Sequence, residues 1–472
     1  MKVLFLISEV EDIIKTGGLA DVGKALPIAL SELGHEVNIV LPYYKAAADS
    51  LQLSNTVSQQ IIYTNGRSYA FDVKELNFNG IPVYFVDYPD YFNNDQLYSD
   101  DTSVSNAEKF TFFSLAALKV AEAVGFKPDI LHTNDWHTSM ACYFAKHSPL
   151  VYEYFAHTKS VLTIHNAAFQ GTDNLNCIHS IDPSSPGMFV ENNHLNMLKT
   201  GLLYADHICP VSTTYAQEIS TPLGSHGIDD VIRHRINAVE GILNGCDYEQ
   251  WDPSTDEFIA AHFSVDNMSG KAACKKDLQK TFGLNLNAKV PVLGMVCRTT
   301  LQKGFGYLMP ILEDILKHNV QIALVGTGQK DITEKLHSIT KNHPKQFVFI
   351  EDFKTDYAHK VEAGADFFLM PSEFEPCGLN QMYSLAYGTI PIVRGIGGLK
   401  DTIVDIDEAE GTGFIFQQPT PVALLSVIRK ALLVKLEDNK KFHAVIKRGM
   451  QQKFTWKQAA EKYVKIYNKA KS

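Results

Sequence analysis

The sequence lacks the features that mark several large classes of protein. Its 472 residues include only seven cysteines, none in C-x-x-C spacing, so neither a disulfide framework nor a structural zinc site is expected. No apolar run approaches the roughly 20 residues that cross a membrane. The short apolar segment at 2–7 is typical of a buried strand and is too brief for a signal peptide. We therefore expect a cytoplasmic protein that has no membrane partner.

A concentration of positive charge is also missing. The formal net charge is −10, and the chain has neither a basic run nor an acidic tail. Proteins that bind nucleic acids normally present a basic face to the phosphate backbone, so we expect no nucleic-acid partner. The composition is 45% hydrophobic and 20% charged, as in folded globular proteins, and the length exceeds what one hydrophobic core serves.

Short apolar runs alternate with helical patterns along the whole chain. Strands are predicted at 2–7, 36–41, 82–87, 129–132, 160–165, 206–211, 291–297, 320–325, 346–350, 366–370, 389–393 and 413–416. Helices are predicted at 107–124, 271–282, 305–317 and 421–435, among others. Nearly continuous apolar strands that alternate with helices are typical of parallel sheets covered on both faces. The pattern predicts the α/β class with two doubly wound, Rossmann-like domains.

A polar connector separates the two series of strands. The segment NGCDYEQWDPSTDEF at 244–258 has no strand or helix pattern, so we place an N-terminal domain at 1–245 and a C-terminal domain at 246–455. Ligands of doubly wound domains bind outside the carboxyl ends of the strands. Candidate binding residues are therefore expected where strands end, on a central cleft that both domains face.

A glycine pair follows the first strand. Gly17 and Gly18 permit a close approach of the backbone to a ligand, and Lys15 adds a cation suited to phosphate. The alternative is an ordinary glycine-rich turn with a solvent-facing lysine. The segment Gly18–Ala25 also approaches the phosphate loop of ATP- and GTP-hydrolysing enzymes, but Ala25 lacks the hydroxyl that binds Mg²⁺, and the second glycine falls in a helical pattern.

Charged residues follow two strands of the second series. Arg298 and Lys303 come after strand 291–297, and two such cations could hold a diphosphate without a metal. Glu375 comes after strand 366–370 and precedes a glycine that opens a helix. Each residue alone could be an ordinary surface charge, but together they favour a binding site. No complete G-x-G-x-x-G exists, so a nicotinamide dehydrogenase is poorly supported.

Taken in order, these segments resemble the signatures of bacterial glycogen synthases and plant starch synthases. The matching segments are KTGGLADV (15–22), TIHNAAFQG (163–171), GILNGCDYEQWDP (241–253), QKG (302–304) and EFEPCGLNQMYSLAYGTIPIVR (373–394). The resemblance implies a retaining glucosyltransferase of the GT-B type, in which a C-terminal helix at 456–472 returns to the first domain. It also implies ADP-glucose as donor, the non-reducing end of an α-1,4-glucan such as glycogen as acceptor, and no metal or other cofactor.

The resemblance also implies a role for single positions. Arg298 and Lys303 would hold the diphosphate, while Glu375 and His165 would line the pocket of the reacting glucose. The further substrate-binding positions are Lys15, Gly17, Gly18, Asp21, Tyr98, Asp135, Asn166, Asn244, Cys377, Gly378 and Leu379. From its surroundings alone, Cys377 reads as a packing residue, and a lone histidine such as His165 is more often structural.

Three departures from the family pattern bear on donor affinity. Glu11 and Asp12 stand where relatives usually carry neutral residues and a proline, and would weaken phosphate binding if they face the site. Thr299 follows Arg298 where the family has leucine, and Glu373 replaces an arginine common in bacterial relatives.

Three other functions compete with transfer from a sugar nucleotide. A glucan phosphorylase would need pyridoxal phosphate with its lysine signature and a longer chain. A non-catalytic glucan-binding relative would be favoured if the key charged residues were missing, and all are present. A hydrolase would need a dominant carboxylate pair, whereas cations dominate the predicted cleft.

Overall fold

The computed structural model describes residues 1–45, 51, 53–93, 97, 104–352 and 354–472. These residues form two compact units, one made of Met1–Gly245 with Trp456–Ser472 and the other of Cys246–Thr455. In the described part of the chain, no helix is long and apolar enough to cross a membrane.

The first unit is built on an eight-stranded sheet with the order β11-β7-β6-β1-β2-β5-β4-β3. The strands of this sheet are β1 Lys2–Leu6, β2 Glu36–Pro42, β3 Ser54–Thr64, β4 Arg67–Phe78, β5 Ile81–Asp87, β6 Ile130–Asn134, β7 Lys159–Ile164 and β11 His207–Pro210. A small antiparallel sheet is formed by β8 Thr172–Asn174, β9 Val190–Glu191 and β10 His194–Asn196. Its helices up to residue 245 are α1 Gly18–Glu32, α2 Pro89–Phe92, α3 Asn106–Ala123, α4 Asp135–His147, α5 Met197–Tyr204, α6 Thr213–Glu218 and α7 Asp229–His234.

One edge of this sheet is antiparallel, contrary to the prediction of wholly parallel sheets. Strands β3, β4 and β5 form successive hairpins, and β3 and β4 were not predicted. Asn65 and Gly66 join β3 to β4, and Asn79 and Gly80 join β4 to β5, all four with positive φ. Asn–Gly pairs favour this left-handed geometry, which matches the twist of a two-residue hairpin. The remaining neighbours in the sheet pair in parallel.

The second unit contains a six-stranded parallel sheet with the order β14-β13-β12-β15-β16-β17. Its strands are β12 Val292–Val296, β13 Gln321–Val325, β14 Phe347–Ile350, β15 Phe367–Met370, β16 Ile390–Arg394 and β17 Phe414–Phe416. Its helices are α8 Ser269–Thr281, α9 Phe305–Leu308, α10 Leu312–Leu316, α11 Lys330–Asn342, α12 Thr355–Gly364, α13 Asn380–Ala386, α14 Gly397–Thr402, α15 Pro421–Glu437 and α16 Asn439–Gln451.

The predicted helix at 305–317 is wrong as a single element. The turn Met309–Ile311 is a 3₁₀ segment that separates α9 from α10, because Pro310 supplies no N–H and its ring obstructs the preceding turn. Every predicted strand is present, with ends that differ by at most two residues. The α/β class with two doubly wound domains is confirmed.

The last helix, α17 Trp456–Lys471, packs in the core of the first unit. The Tyr467 hydroxyl lies 2.6 Å from Nδ1 of His132, and Nε2 of His132 lies 2.8 Å from Oγ1 of Thr163. Because His132 lies on β6 and Thr163 on β7, buried polar contacts as well as apolar packing fix this helix to the sheet.

Candidate active site

A partly buried ion pair lies at the carboxyl ends of β12 and β15. The Lys303 ammonium is 2.6 Å from Oε2 of Glu375, and the Ser372 hydroxyl donates to the same oxygen at 2.9 Å. Glu375 is buried. A buried carboxylate is stable only when paired and hydrogen-bonded, so these two contacts fix its charge in place.

A left-handed glycine places the lysine of this pair. Lys303 ends a 3₁₀ turn, Leu301–Lys303, and Gly304 follows it with φ of 84°. A Cβ at Gly304 would lie 2.0 Å from the carbonyl oxygen of Pro371, so any other residue would push apart the two loops that carry the ion pair.

The pair opens on a cavity of about 120 Å³. Its lining consists of Met295, Val296, Cys297, Lys303, Leu369, Met370, Ser372, Glu375, Gly378, Leu379 and Asn380. Within the described residues, the amide groups of Gly378 and Leu379 donate to no acceptor. The cavity therefore combines a cation, a carboxylate and open amide donors, which is a set suited to an anion or a sugar hydroxyl. Cys377 is also buried beside these amides.

Two arginines flank this cavity in different ways. The Arg298 side chain is exposed, and its guanidinium has no hydrogen-bond or ion-pair partner in the parts of the chain that the structure covers. Arg394, the last residue of β16, instead donates from Nη1 to the carbonyl oxygens of Glu373, at 2.6 Å, and Ser372, at 3.4 Å.

Arg394 therefore holds the loop that carries Glu375, a role that the sequence interpretation missed. Its position at the carboxyl end of a parallel strand could have marked it as a candidate residue, though not for this contact. Gly397 packs on the same loop, because a Cβ there would lie 2.0 Å from the carbonyl oxygen of Glu375.

In the first unit, Lys15 lies between two carboxylates. Its ammonium is 2.8 Å from Oε1 of Glu11 and 2.9 Å from Oδ1 of Asp21. Burial raises the pKa of Asp21 to about 6, although Lys15 acts in the opposite direction. Burial lowers the pKa of Lys15, but Asp21 and Glu11 outweigh it and the net shift is upward. Of the two unusual carboxylates in this loop, Glu11 faces the lysine, while Asp12 pairs with Lys24 at 2.6 Å.

The buried Glu9 side chain anchors the turn that carries the glycine pair. Its carboxylate accepts from the amides of Thr16, at 2.7 Å, and Gly17, at 3.1 Å. The Gly17 amide is thus engaged within the protein, while the amide of Gly18, at the start of α1, donates to no acceptor among the described atoms. Gly23 lies inside α1, where a Cβ would be 2.3 Å from the Glu9 carbonyl oxygen. The phosphate-loop alternative is therefore wrong, since Gly23 serves helix packing.

Asp135 shapes the loop after β7. This buried residue has φ of 54°, and its Oδ1 accepts from the amides of His165, at 2.7 Å, and Asn166, at 3.3 Å. Burial raises the pKa of Asp135 to about 7, against the effect of these two hydrogen bonds. Nε2 of His165 lies 3.0 Å from Oδ1 of Asn134, and burial lowers the pKa of His165 to about 3, so the imidazole is neutral at physiological pH.

Two further positions were predicted from the family resemblance. Asn244 is buried, and its Oδ1 accepts no hydrogen bond from any residue that the structure describes. That oxygen is available to a ligand hydroxyl. Tyr98 lies outside the described residues.

The chain is similar to known proteins along its whole length. Residues 2–234 match the starch synthase catalytic domain family, and residues 278–452 match the glycosyl transferases group 1 family. The glycogen synthase of Photobacterium profundum is 43% identical, over 99% of this chain and 94% of that protein. The glycogen synthase of Vibrio parahaemolyticus is 44% identical, over 100% of this chain and 99% of that protein.

The chain is also similar to solved structures of glycosyltransferases. The catalytic domain of starch synthase IV from Arabidopsis thaliana, bound to ADP and acarbose, matches with a TM-score of 0.92 and 28% identity, over 100% of this chain and 99% of that one. Sucrose-phosphate synthase from Thermosynechococcus elongatus, with a TM-score of 0.60 and 16% identity over 99% of both chains, shares the fold.

Proposed function

Because the chain belongs to the glycogen and starch synthase family of retaining glycosyltransferases, we propose that it extends α-1,4-glucans with glucose from ADP-glucose. In this reaction the glucosyl group passes to the non-reducing end of the glucan with retention of configuration, and ADP is released. The protein would serve glycogen biosynthesis in the cytoplasm and would need no metal or other cofactor.

The observation that carries the proposal is the Lys303–Glu375 pair at the cavity in the second unit. Cleavage of the donor creates new negative charge on the diphosphate. Fixed cations aimed at that charge stabilise the transition state without reorganising as the bond breaks. We assign this task to Lys303 and to the unpaired guanidinium of Arg298, with the amides of Gly378 and Leu379 as further donors.

Glu375 has the complementary task. The departing sugar acquires oxocarbenium character, and a carboxylate held in a poorly solvated cavity stabilises positive charge more strongly than one in water. Its contacts with Lys303 and Ser372 use one oxygen, Oε2, and leave Oε1 to orient a sugar hydroxyl. The N–H groups of Cys377 to Leu379 would contact sugar hydroxyls or phosphate.

We assign further binding groups to residues of the first unit. Lys15, Gly18 and Asp21 would contact the donor, with Gly17 shaping the turn. His165, Asn166 and Asn244 would bind glucose hydroxyls, with Asp135 holding their loop. The neutral imidazole of His165 suits a hydrogen bond better than an ionic contact. Tyr98 would lie near the acceptor.

Retention is compatible with two routes. In one, the acceptor attacks the face that the diphosphate leaves, and a phosphate oxygen takes the acceptor proton. In the other, a short-lived covalent glucosyl intermediate forms first.

A parallel assay tests the proposal. ADP-glucose and UDP-glucose are supplied separately with glycogen, and release of nucleoside diphosphate is followed with and without EDTA. We expect a clear preference for ADP-glucose and little effect of EDTA. Equal or faster use of UDP-glucose would contradict the donor assignment. Strong inhibition by EDTA that Mg²⁺ or Mn²⁺ reverses would contradict the metal-free leaving-group site.

A further inference from the structure

We propose that Glu11 is an internal competitor of the donor phosphate for Lys15 and thereby lowers the affinity of this chain for nucleoside diphosphates. The inference rests on the proposed function in one respect, the assignment of Lys15 to a donor phosphate. It goes further because it gives an affinity-setting role to a residue that makes no productive contact with substrate.

The contact between Glu11 and Lys15 is built into the backbone. Val10 and Ile14 close a tight turn through N–H to carbonyl bonds of 3.1 and 2.8 Å, and this turn places Glu11 beside Lys15. The amide of Glu11 also donates to the carbonyl of Ala20 in the first turn of α1, at 3.0 Å. These bonds hold the backbone of Glu11 next to Lys15, and the Glu11 side chain is only 12% exposed where it contacts the ammonium.

The charges around the Lys15 ammonium disfavour the binding of an anion. Lys15 has three N–H donors, and two of them point to Glu11 and Asp21. When both carboxylates are ionised, the group carries one net negative charge. A phosphate that approaches Lys15 must therefore displace a carboxylate or bind beside one, and either outcome weakens its binding.

Glu11 is the separable member of this group. Asp21 lies in the first turn of α1, where a carboxylate stabilises the helix N-terminus, so its removal would also affect the helix. Glu11 lies outside the helix. Glutamine at this position keeps an acceptor for the Lys15 ammonium and removes only the charge.

The neighbouring residue supplies a matched control. Asp12 carries the same charge in the same turn, but its carboxylate pairs with Lys24 rather than with Lys15. Asp12→Asn therefore changes the net charge of the loop as Glu11→Gln does, without changing a contact of Lys15.

The experiment measures binding of ADP to the full-length protein by titration calorimetry at low ionic strength. We expect Glu11→Gln to bind ADP about three- to fivefold more tightly than wild type, the range for one partly exposed ion pair, and the gain to shrink as salt rises. Asp12→Asn should stay within about 1.5-fold of wild type. Lys15→Ala should bind more weakly, and adding Glu11→Gln to it should give a smaller gain than Glu11→Gln gives in the wild type, because only general charge repulsion remains to be relieved.

The outcomes separate this inference from the role of Lys15. If Lys15→Ala weakens binding but Glu11→Gln does not improve it, the competition is overturned and the proposed role of Lys15 stands. An equal gain in Asp12→Asn would show a general charge effect and would also overturn the competition. If Lys15→Ala leaves ADP affinity unchanged, both the inference and the proposed role of Lys15 fail. Tighter binding by Glu11→Gln alone supports the inference even if glucose transfer is not detected.

Discussion

Two lysines assigned to phosphate occupy contrasting surroundings. The Lys303 side chain is 19% exposed and has one carboxylate partner, Glu375, which is 8% exposed. The Lys15 side chain is 44% exposed and has two carboxylate partners. A shielded, singly paired cation is fixed in place and acts through a low dielectric, whereas an exposed, doubly paired one is screened and partly neutralised. We infer that Lys303 acts on the transition state and that Lys15 acts on donor binding.

The largest effect is expected from the shielded lysine. Lys303→Ala removes a donor aimed at charge that grows as the sugar leaves, a loss of about 10²–10³ in rate. The reduction should appear mainly in kcat, with a smaller rise in KM for the donor. Lys15→Ala is the matched variant and should act chiefly on KM. If both lysine variants changed kcat and KM in the same proportions, the contrast drawn from burial would be wrong.

The carboxylate partner of Lys303 should give the next largest effect. Glu375→Ala should lower kcat about 10²-fold, because it removes an electrostatic contact to the reacting sugar and leaves Lys303 without its partner. Glu375→Gln keeps the shape and removes the charge, so the two variants separate positioning from electrostatics. Steady-state kinetics of both, with circular dichroism to verify folding, decide between them. A glutamine variant nearly as active as wild type would contradict an electrostatic role.

The sequence could predict candidate residues of this site one by one, but not the contacts between residues that lie far apart along the chain. Arg298, Lys303 and Glu375 could be proposed as candidates because each follows an apolar strand, and the parallel sheet brings such ends to one edge. The contact between Lys303 and Glu375 was not predicted, because it depends on the conformation of two loops 72 residues apart. No local pattern encodes such a contact.

The strands of the fold could likewise be predicted from the sequence only in part. The apolar strands could be predicted because burial on both faces leaves a continuous hydrophobic run. Strands β3 and β4 were missed because neither has a continuous apolar run: β3 is mostly polar and exposed, and β4 alternates exposed and buried residues along its first half. The pairs Asn65–Gly66 and Asn79–Gly80 were a usable hairpin signal. The strand-end position of Arg394 could have marked it as a candidate, but its contact with the Glu375 loop could not be predicted, since a strand-end arginine can equally face a ligand.

The two units can also be compared through the residues that hold their site loops, Arg394 in the second unit and Asp135 in the first. Arg394→Ala should lower kcat about tenfold with little change in KM, because the loop carrying Glu375 loses two hydrogen bonds to its carbonyl groups. Arg394→Lys should recover part of the loss. Added guanidinium at millimolar concentration should partly restore Arg394→Ala and leave Lys303→Ala unchanged. A loss that neither lysine nor guanidinium reduces would indicate a general folding defect instead.

Asp135 is the corresponding loop-holding residue of the first unit, and its effect should be the smallest and confined to stability. Burial raises its pKa from the ordinary 3.8 to about 7. The folded protein therefore keeps a proton that the unfolded chain releases, so the associated stability is present below about pH 4 and is lost as the pH rises through about 7. Asp135→Asn keeps an acceptor for the amides of His165 and Asn166 but does not titrate.

The difference in melting temperature between variant and wild type isolates this contribution. Burial lowers the pKa values of His132, His137 and His165 from 6.5 to about 3, so these groups make stability rise with pH between about 3 and 6.5 and oppose Asp135. Their contribution is common to both proteins and cancels in the difference. We expect the melting temperature of Asp135→Asn, relative to wild type, to increase by several degrees between pH 5 and pH 8, the direction set by loss of an ionising buried carboxyl. A difference that is constant over this range would mean that Asp135 is already ionised at pH 5, with its charge stabilised by the amides that it accepts.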